Sequence, residues 1–261
     1  MAPDSGNGKT GGYGALSFAA VLLWIFIWEM AALFVNRRLL IPVPTPQSTF
    51  SALLRLLADP SFFRAVGMSL LRIAAGFVCA LFSGTILAAL CVRFKVLKIL
   101  TAPLLQLIRA IPVASFTILV FLWVTRERIP SVISFVTVLP IVWANMENGL
   151  RSADLGLVEM AGVFGMSRLH ILKEILLPGI RPFAASAAAS GIGFAWKSGV
   201  AAEVICRTGS SIGDFLWEGK SAVDYDEVFA VTIVIVLLSA ALQAAAAAIF
   251  RNGKKERSGR L

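Results

Sequence analysis

Six apolar runs divide this chain, at about 14–35, 65–92, 99–124, 130–150, 183–206 and 228–250. Each reaches the roughly 20 residues that a helix needs to cross a hydrocarbon core about 30 Å thick. Lipid offers no hydrogen bonds, so a spanning segment must satisfy its own backbone, and each run is expected to be helical. The chain is therefore an all-α, polytopic membrane bundle of six helices. The first run carries Glu29 near its far end. It is too long for a signal-peptide core, and no small-residue cleavage site follows it.

Composition agrees. Hydrophobic residues make up 58% of the chain and charged residues only 15%, against about 25% charged in a soluble domain. The formal net charge is +9, which in a soluble protein would point to nucleic acid. Here Lys and Arg sit mainly in the short segments between apolar runs, which is an orientation signal. The connections around Arg93–Lys98 and Arg151–Arg181 and the tail Arg251–Leu261 are the most basic. Both termini are thus expected on the cytoplasmic side, with Arg126 and Arg128 outside against the trend. The basic tail anchors the last helix at an anionic leaflet.

The connections have their own patterns. Residues 1–13 are polar and glycine-rich, and disorder is expected there. Arg37 and Arg38 close the first span, and Pro42, Pro44 and Pro46 interrupt any helix. Thr45 then caps a short helix with Pro46 at its first position. Phe50, Leu53, Leu54 and Leu57 give it one apolar face, suited to the membrane surface. Cys79, Cys91 and Cys206 lack CxxC partners and read as small core hydrophobes. His170 stands alone, so no metal site is expected. No internal repeat marks a secondary transporter with inverted halves.

The segment 151–182, between the fourth and fifth runs, is too long for a turn and too polar for lipid. Leu157, Met160, Ala161 and Phe164 fall on one helical face. Gly165 follows, where a helix can end in the left-handed conformation. Ser167 can cap a second helix, with Leu169, Leu172, Ile175 and Leu176 as its apolar face. Pro178 and Gly179 are expected to end it, and Pro182 to restart the chain at the next span. Such a helix–glycine–helix element is either a docking surface or a hairpin packed against its own bundle.

Ionisable groups inside spans cost roughly 2.5–3.5 kcal/mol each on insertion scales, so they face a partner, a cavity or an interface. Glu29 and Glu147 lie near span ends and can reach the headgroups. Arg72 sits close enough to a span start to pair internally or snorkel. Arg109 precedes Ile111-Pro112, which breaks the helix ladder, and Lys197 lies beside Trp196, Ser198 and Gly199. Arg109, Trp196, Lys197 and Glu203 are the candidate lining of a translocation path, with internal pairing as the other reading. Small residues from Ala184 to Gly193 permit close helix approach, in a bundle core or at a subunit interface.

Glu159-Met160-Ala161, Gly165 and Ile175-Leu176-Leu177-Pro178 resemble the EAA motif, EAA-x3-G-x9-I-x-LP, with Met160 in place of the first alanine. That motif marks permease subunits of binding-protein-dependent ABC importers. Arg109-Ala110-Ile111-Pro112, Trp196-Lys197 and Ala201-Ala202-Glu203 resemble stretches of the sulfonate/nitrate/taurine branch. The resemblance covers roughly 45–250. It implies one permease domain over 1–261 with its core at 60–250, in a bacterial inner membrane. It implies that Glu159, Ala161, Gly165, Ile175, Leu177 and Pro178 couple the bundle to a separate ATPase, which would bind ATP and Mg. It further implies an extracytoplasmic solute-binding protein and a second permease copy, with no enzyme activity in this chain. A small organic or inorganic anion is the expected solute, and a vitamin or pyrimidine precursor the alternative.

Other classes fit less well. Gly8-Lys9-Thr10 and Gly219-Lys220-Ser221 look like phosphate-loop endings, but Pro3 and Asp214 stand where the first glycine is required. A membrane-embedded enzyme would want clustered His, Asp or Ser in the spans. An ion-driven transporter could use the intramembrane charges but leaves the hairpin without a task.

Overall fold

The computed structural model describes residues 10–37, 43–152 and 155–258. Residues 1–9, and Arg38 and Pro42 of the first connection, lie outside the described residues, as do the side chains of the basic tail. The chain folds into α1 (Thr10–Asn36), α2 (Pro46–Ala58), α3 (Pro60–Arg93), α4 (Lys95–Ala110), α5 (Val113–Phe121) and α6 (Ile129–Arg151). After these come α7 (Leu155–Val163), α8 (Arg168–Ile171), α9 (Leu177–Cys206), α10 (Ile212–Ser221) and α11 (Tyr225–Ser258).

Five described helices are long and apolar enough to cross a membrane: α1, α3, the α6 stretch, the α8–α9 stretch and α11. The run at 99–124 differs from expectation. It is not one straight span but the pair α4 and α5, bent by 103°. Pro112 has no N–H and drives Ile111 into extended backbone, at φ −76° and ψ 127°. The helix stops there and restarts at Val113.

α3, α6 and α9 form the packed centre. Small residues make this possible, since Ala187, Ala188, Gly191 and Ala195 of α9 are all buried. The tightest approach is at Gly76 of α3. A Cβ there would overlap the carbonyl oxygen of Ser131 on α6. Ser134 Oγ also donates to the Ala195 carbonyl at 3.1 Å, tying α6 to α9. Cys91 and Cys206 are buried, whereas Cys79 is exposed on the outer side of α3, contrary to a core role.

The short helix α2 forms as expected. Thr45 and Ser48 make a reciprocal capping box, with Pro46 in the first turn. Its apolar face largely points away from the bundle, the side a membrane-surface helix turns to lipid. Thr49, Ala52 and Leu56 pack inward, while Phe50, Leu54 and Leu57 stay exposed. Ser48 Oγ donates to Asp226 of α11 at 2.6 Å, which fixes the protein-facing side and leaves the apolar one open. At the α2–α3 junction, the hydroxyl and amide of Ser61 hold the Asp59 carboxyl below the usual carboxylate range.

Glu147 does not reach for headgroups. It is buried near the end of α6, where Lys98 of α4 and Arg151 both pair with it, Arg151 at 2.8 Å. Both cations are partly exposed and can rehydrate once released. Glu147→Gln should therefore lower the thermal stability of the detergent-solubilised protein by about 1 kcal/mol. An unchanged melting curve would mean that the pair contributes nothing to holding α4.

Candidate functional site

Two regions stand out, a hairpin at one end of the bundle and a cavity within it. In the hairpin, α7 ends in a left-handed residue, Gly165, at φ +74°. The N–H of Gly165 donates to the Gly162 carbonyl and that of Met166 to the Ala161 carbonyl, both at 3.0 Å. This pair of bonds satisfies carbonyls that the helix end would otherwise leave open. Ser167 then caps α8 by accepting from the His170 N–H. The turn expected from Gly165 and Ser167 is present.

The second hairpin helix does not end at Pro178-Gly179 as the sequence reading had it. α8 passes through one π-helical turn, Leu172–Leu176, directly into α9. A proline inside a helix clashes with the carbonyl four residues earlier. For Pro178 that carbonyl belongs to Glu174, within the π turn, where the wider spacing makes room for the ring. Pro182 likewise lies inside α9. Residues Arg168–Cys206 thus form a 39-residue helix, about 58 Å long at 1.5 Å per residue.

That length exceeds a hydrocarbon core of about 30 Å, so one end must project from it. The hairpin end carries Glu159, Arg168, Lys173, Glu174 and Arg181. Its apolar side chains are nevertheless open: Val163 is 87% exposed, and Phe164 and Leu169 are each 79% exposed. Glu159 and Leu177 are also exposed, Ile175 and Pro178 are half-buried, and Ala161 is buried. Among the two readings, the hairpin has a large apolar surface that its own bundle leaves uncovered.

The cavity, about 360 Å³, is lined by Arg109, Thr137, Pro140, Ile141 and Phe194 with Ile108, Ile111 and Val113. It lies where the α4–α5 break faces α6 and α9. Arg109 is exposed to it and donates through Nη2 to the Pro140 carbonyl at 2.8 Å. That contact leaves most of the guanidinium's donors for another acceptor. Lys197 is exposed one turn beyond Phe194 on α9. Thr137 Oγ1 and Ser198 Oγ share a hydrogen bond of 2.9 Å beside it.

The four path candidates are not brought together. Trp196 is fully buried, and its Nε1 donates to the Ile235 carbonyl of α11 at 2.9 Å. Glu203 is fully buried at the opposite end of the bundle from the hairpin. Arg72 does pair internally, donating to Thr208 and to the Ser210 carbonyl. Thr137 and Phe194 escaped the sequence reading because neither is charged. The proline at 140, beside which Arg109 docks, was the available signal.

Several known proteins resemble this chain. The nitrate import permease protein NrtB of Leptolyngbya laminosa is 27% identical over 71% of this chain and 67% of its own length. The taurine transport system permease protein TauC of Escherichia coli is 24% identical over 89% and 86%. In a crystal structure of a bacterial ABC transporter involved in the import of alginate, one chain matches with TM-score 0.59 at 16% identity. That match covers 92% of this chain and 95% of the other, and supports the helical fold. Residues 76–253, which include the α4–α5 break, the hairpin and α9, match the family model described as binding-protein-dependent transport system inner membrane component. The chain is a multi-pass membrane protein that belongs to this family of inner-membrane transport components.

Proposed function

We propose that this chain is the permease of an ABC importer for a small anion, with both termini cytoplasmic and the hairpin on the cytoplasmic face. The observation that carries the reading is the hairpin itself, an uncovered apolar face built on the residues that resemble the EAA motif. Glu159, Ala161, Gly165, Ile175, Leu177 and Pro178 dock it into a separate ATPase, which holds ATP and Mg. A second permease copy completes the pathway, and an extracytoplasmic binding protein delivers the solute. ATP-driven closure of the ATPase dimer moves the hairpins, and the bundles alternate their access.

The anion assignment draws on two supports. Arg109 faces the cavity with donors to spare, and the nitrate and taurine permeases resemble this chain over most of its length. The test is reconstitution in liposomes with its partner ATPase and binding protein. ATP-dependent uptake of nitrate, taurine and a neutral solute is then compared. Uptake of an anion is expected. Arg109→Ala should lower it roughly tenfold or more, the scale of one lost charge-assisted hydrogen bond. Uptake confined to the neutral solute, or indifferent to Arg109, would overturn the anion reading. Uptake without ATP would overturn the importer.

A further inference from the structure

α9 ends in a polar cluster that belongs neither to the cavity nor to the hairpin. Glu203 Oε2 accepts from Ser69 Oγ of α3 at 2.8 Å and from the Gly213 N–H of α10 at 3.4 Å. Ser69 Oγ in turn accepts from the Ile212 N–H at 2.9 Å. One turn along α3, Arg72 Nη1 donates to Thr208 Oγ1 at 3.2 Å and to the Ser210 carbonyl at 3.3 Å. Asp214 accepts from Thr208 and Ser211, closing the loop on itself. The α9–α10 loop is thereby clamped to both α3 and α9. A Cβ at position 213 would lie 2.5 Å from Glu203 Cβ and 2.7 Å from the Val204 nitrogen, so only glycine lets α10 begin this close.

Burying a carboxyl group is unfavourable unless hydrogen bonds or a paired charge compensate it. Glu203 links three elements, while its Oε1 has no hydrogen-bond partner among the described residues. Along the continuous helix it lies about 53 Å from the Arg168 end at 1.5 Å per residue. One rod therefore carries the hairpin at one end and the clamped loop at the other. We infer that Glu203 is a positioning residue for transport. With Ser69 and Gly213 it latches the outer loop and α10 to α9, so that a displacement of α9 at the hairpin end is felt at the outer face. The inference rests on the importer reading above.

The test compares complexes carrying Glu203→Ala, Ser69→Ala or Glu203→Gln with the wild type. Each is assembled with the same ATPase and binding protein. ATP hydrolysis is measured with and without the binding protein. Both alanine variants should keep the basal rate and lose about fivefold or more of the stimulation, the lower range of typical coupling between sites. Glu203→Gln accepts the same two bonds and should recover most of it. Should Glu203→Ala fail to assemble, Ser69→Ala still removes one arm of the latch. Full stimulation in an assembled alanine variant overturns the inference. So does a parallel loss of basal and stimulated rates, which is the mark of simple misfolding, and so does a Gln variant as defective as Ala. A wild-type complex that no binding protein stimulates instead refutes the importer reading, and the latch falls with it.

Discussion

Gly165→Pro is expected to abolish binding-protein-stimulated ATP hydrolysis and to release the ATPase from the purified permease. The turn at Gly165 stands at φ +74° and uses its own N–H as a donor. Proline is held near φ −65° and has no N–H, so it fails on both counts. The penalty is about 3 kcal/mol or more, which is a hundredfold loss of correctly folded hairpin. Gly165→Ala makes a graded control. Nothing lies within 4 Å of a Cβ at this position, so alanine meets only the dihedral penalty of about 1–2 kcal/mol. Its ATPase affinity should fall by roughly tenfold, with the melting temperature of the bundle unchanged. Titration of the ATPase against detergent-solubilised permease reads both variants. A proline variant that binds and couples like the wild type would remove the hairpin from the mechanism.

Gly76→Ala should destabilise the bundle by about 3 kcal/mol, the upper part of the range for an overpacked core. The added methyl falls on a backbone carbonyl of α6, which cannot rotate aside as a side chain can. α3 and α6 must separate, and Ser131 then loses its 2.7 Å bond to the Arg72 carbonyl. Gly67→Ala on the same helix is the comparison, because nothing lies within 4 Å of its Cβ. There the better helix propensity of alanine should leave stability equal or higher by up to about 1 kcal/mol. Thermal unfolding followed by tryptophan fluorescence distinguishes the two. Equal melting temperatures would mean that α3 and α6 do not approach as closely as described.

The spans were legible because lipid imposes one rule on every residue of a crossing helix, and a run of apolar residues reports it directly. The Gly165 turn was legible for a similar reason, since left-handed backbone has one favoured residue. Proline was harder to read. Pro112 breaks a helix and turns the chain by 103°, yet Pro178 and Pro182 sit within a continuous one. For Pro178 the difference lies upstream, where a π turn precedes it. No local pattern announces that turn. On α2 the apolar pattern marks the outward face, whereas the small, polar stripe packed on α11 has no such signal.

The candidate site divided along the same line. Arg109 was found because a charge in a span demands a reason. Its neighbours Thr137 and Phe194 come from α6 and α9, and only the folded chain brings them beside it. Glu203 drew attention for the same reason as Arg109. Its partners lie 134 and 10 residues away along the chain, a pairing that sequence spacing does not record.

The π turn at Leu172–Leu176 has an angular effect. Each residue in an α-helix advances the azimuth by about 100°, and a π turn inserts one residue beyond the regular count. The hairpin is thus rotated about the α9 axis by roughly that angle from where an unbroken helix would aim it. The compass bearing of Val163, Phe164 and Leu169 is set by a single surplus residue above Pro178, and the bundle can keep its core while that bearing evolves separately.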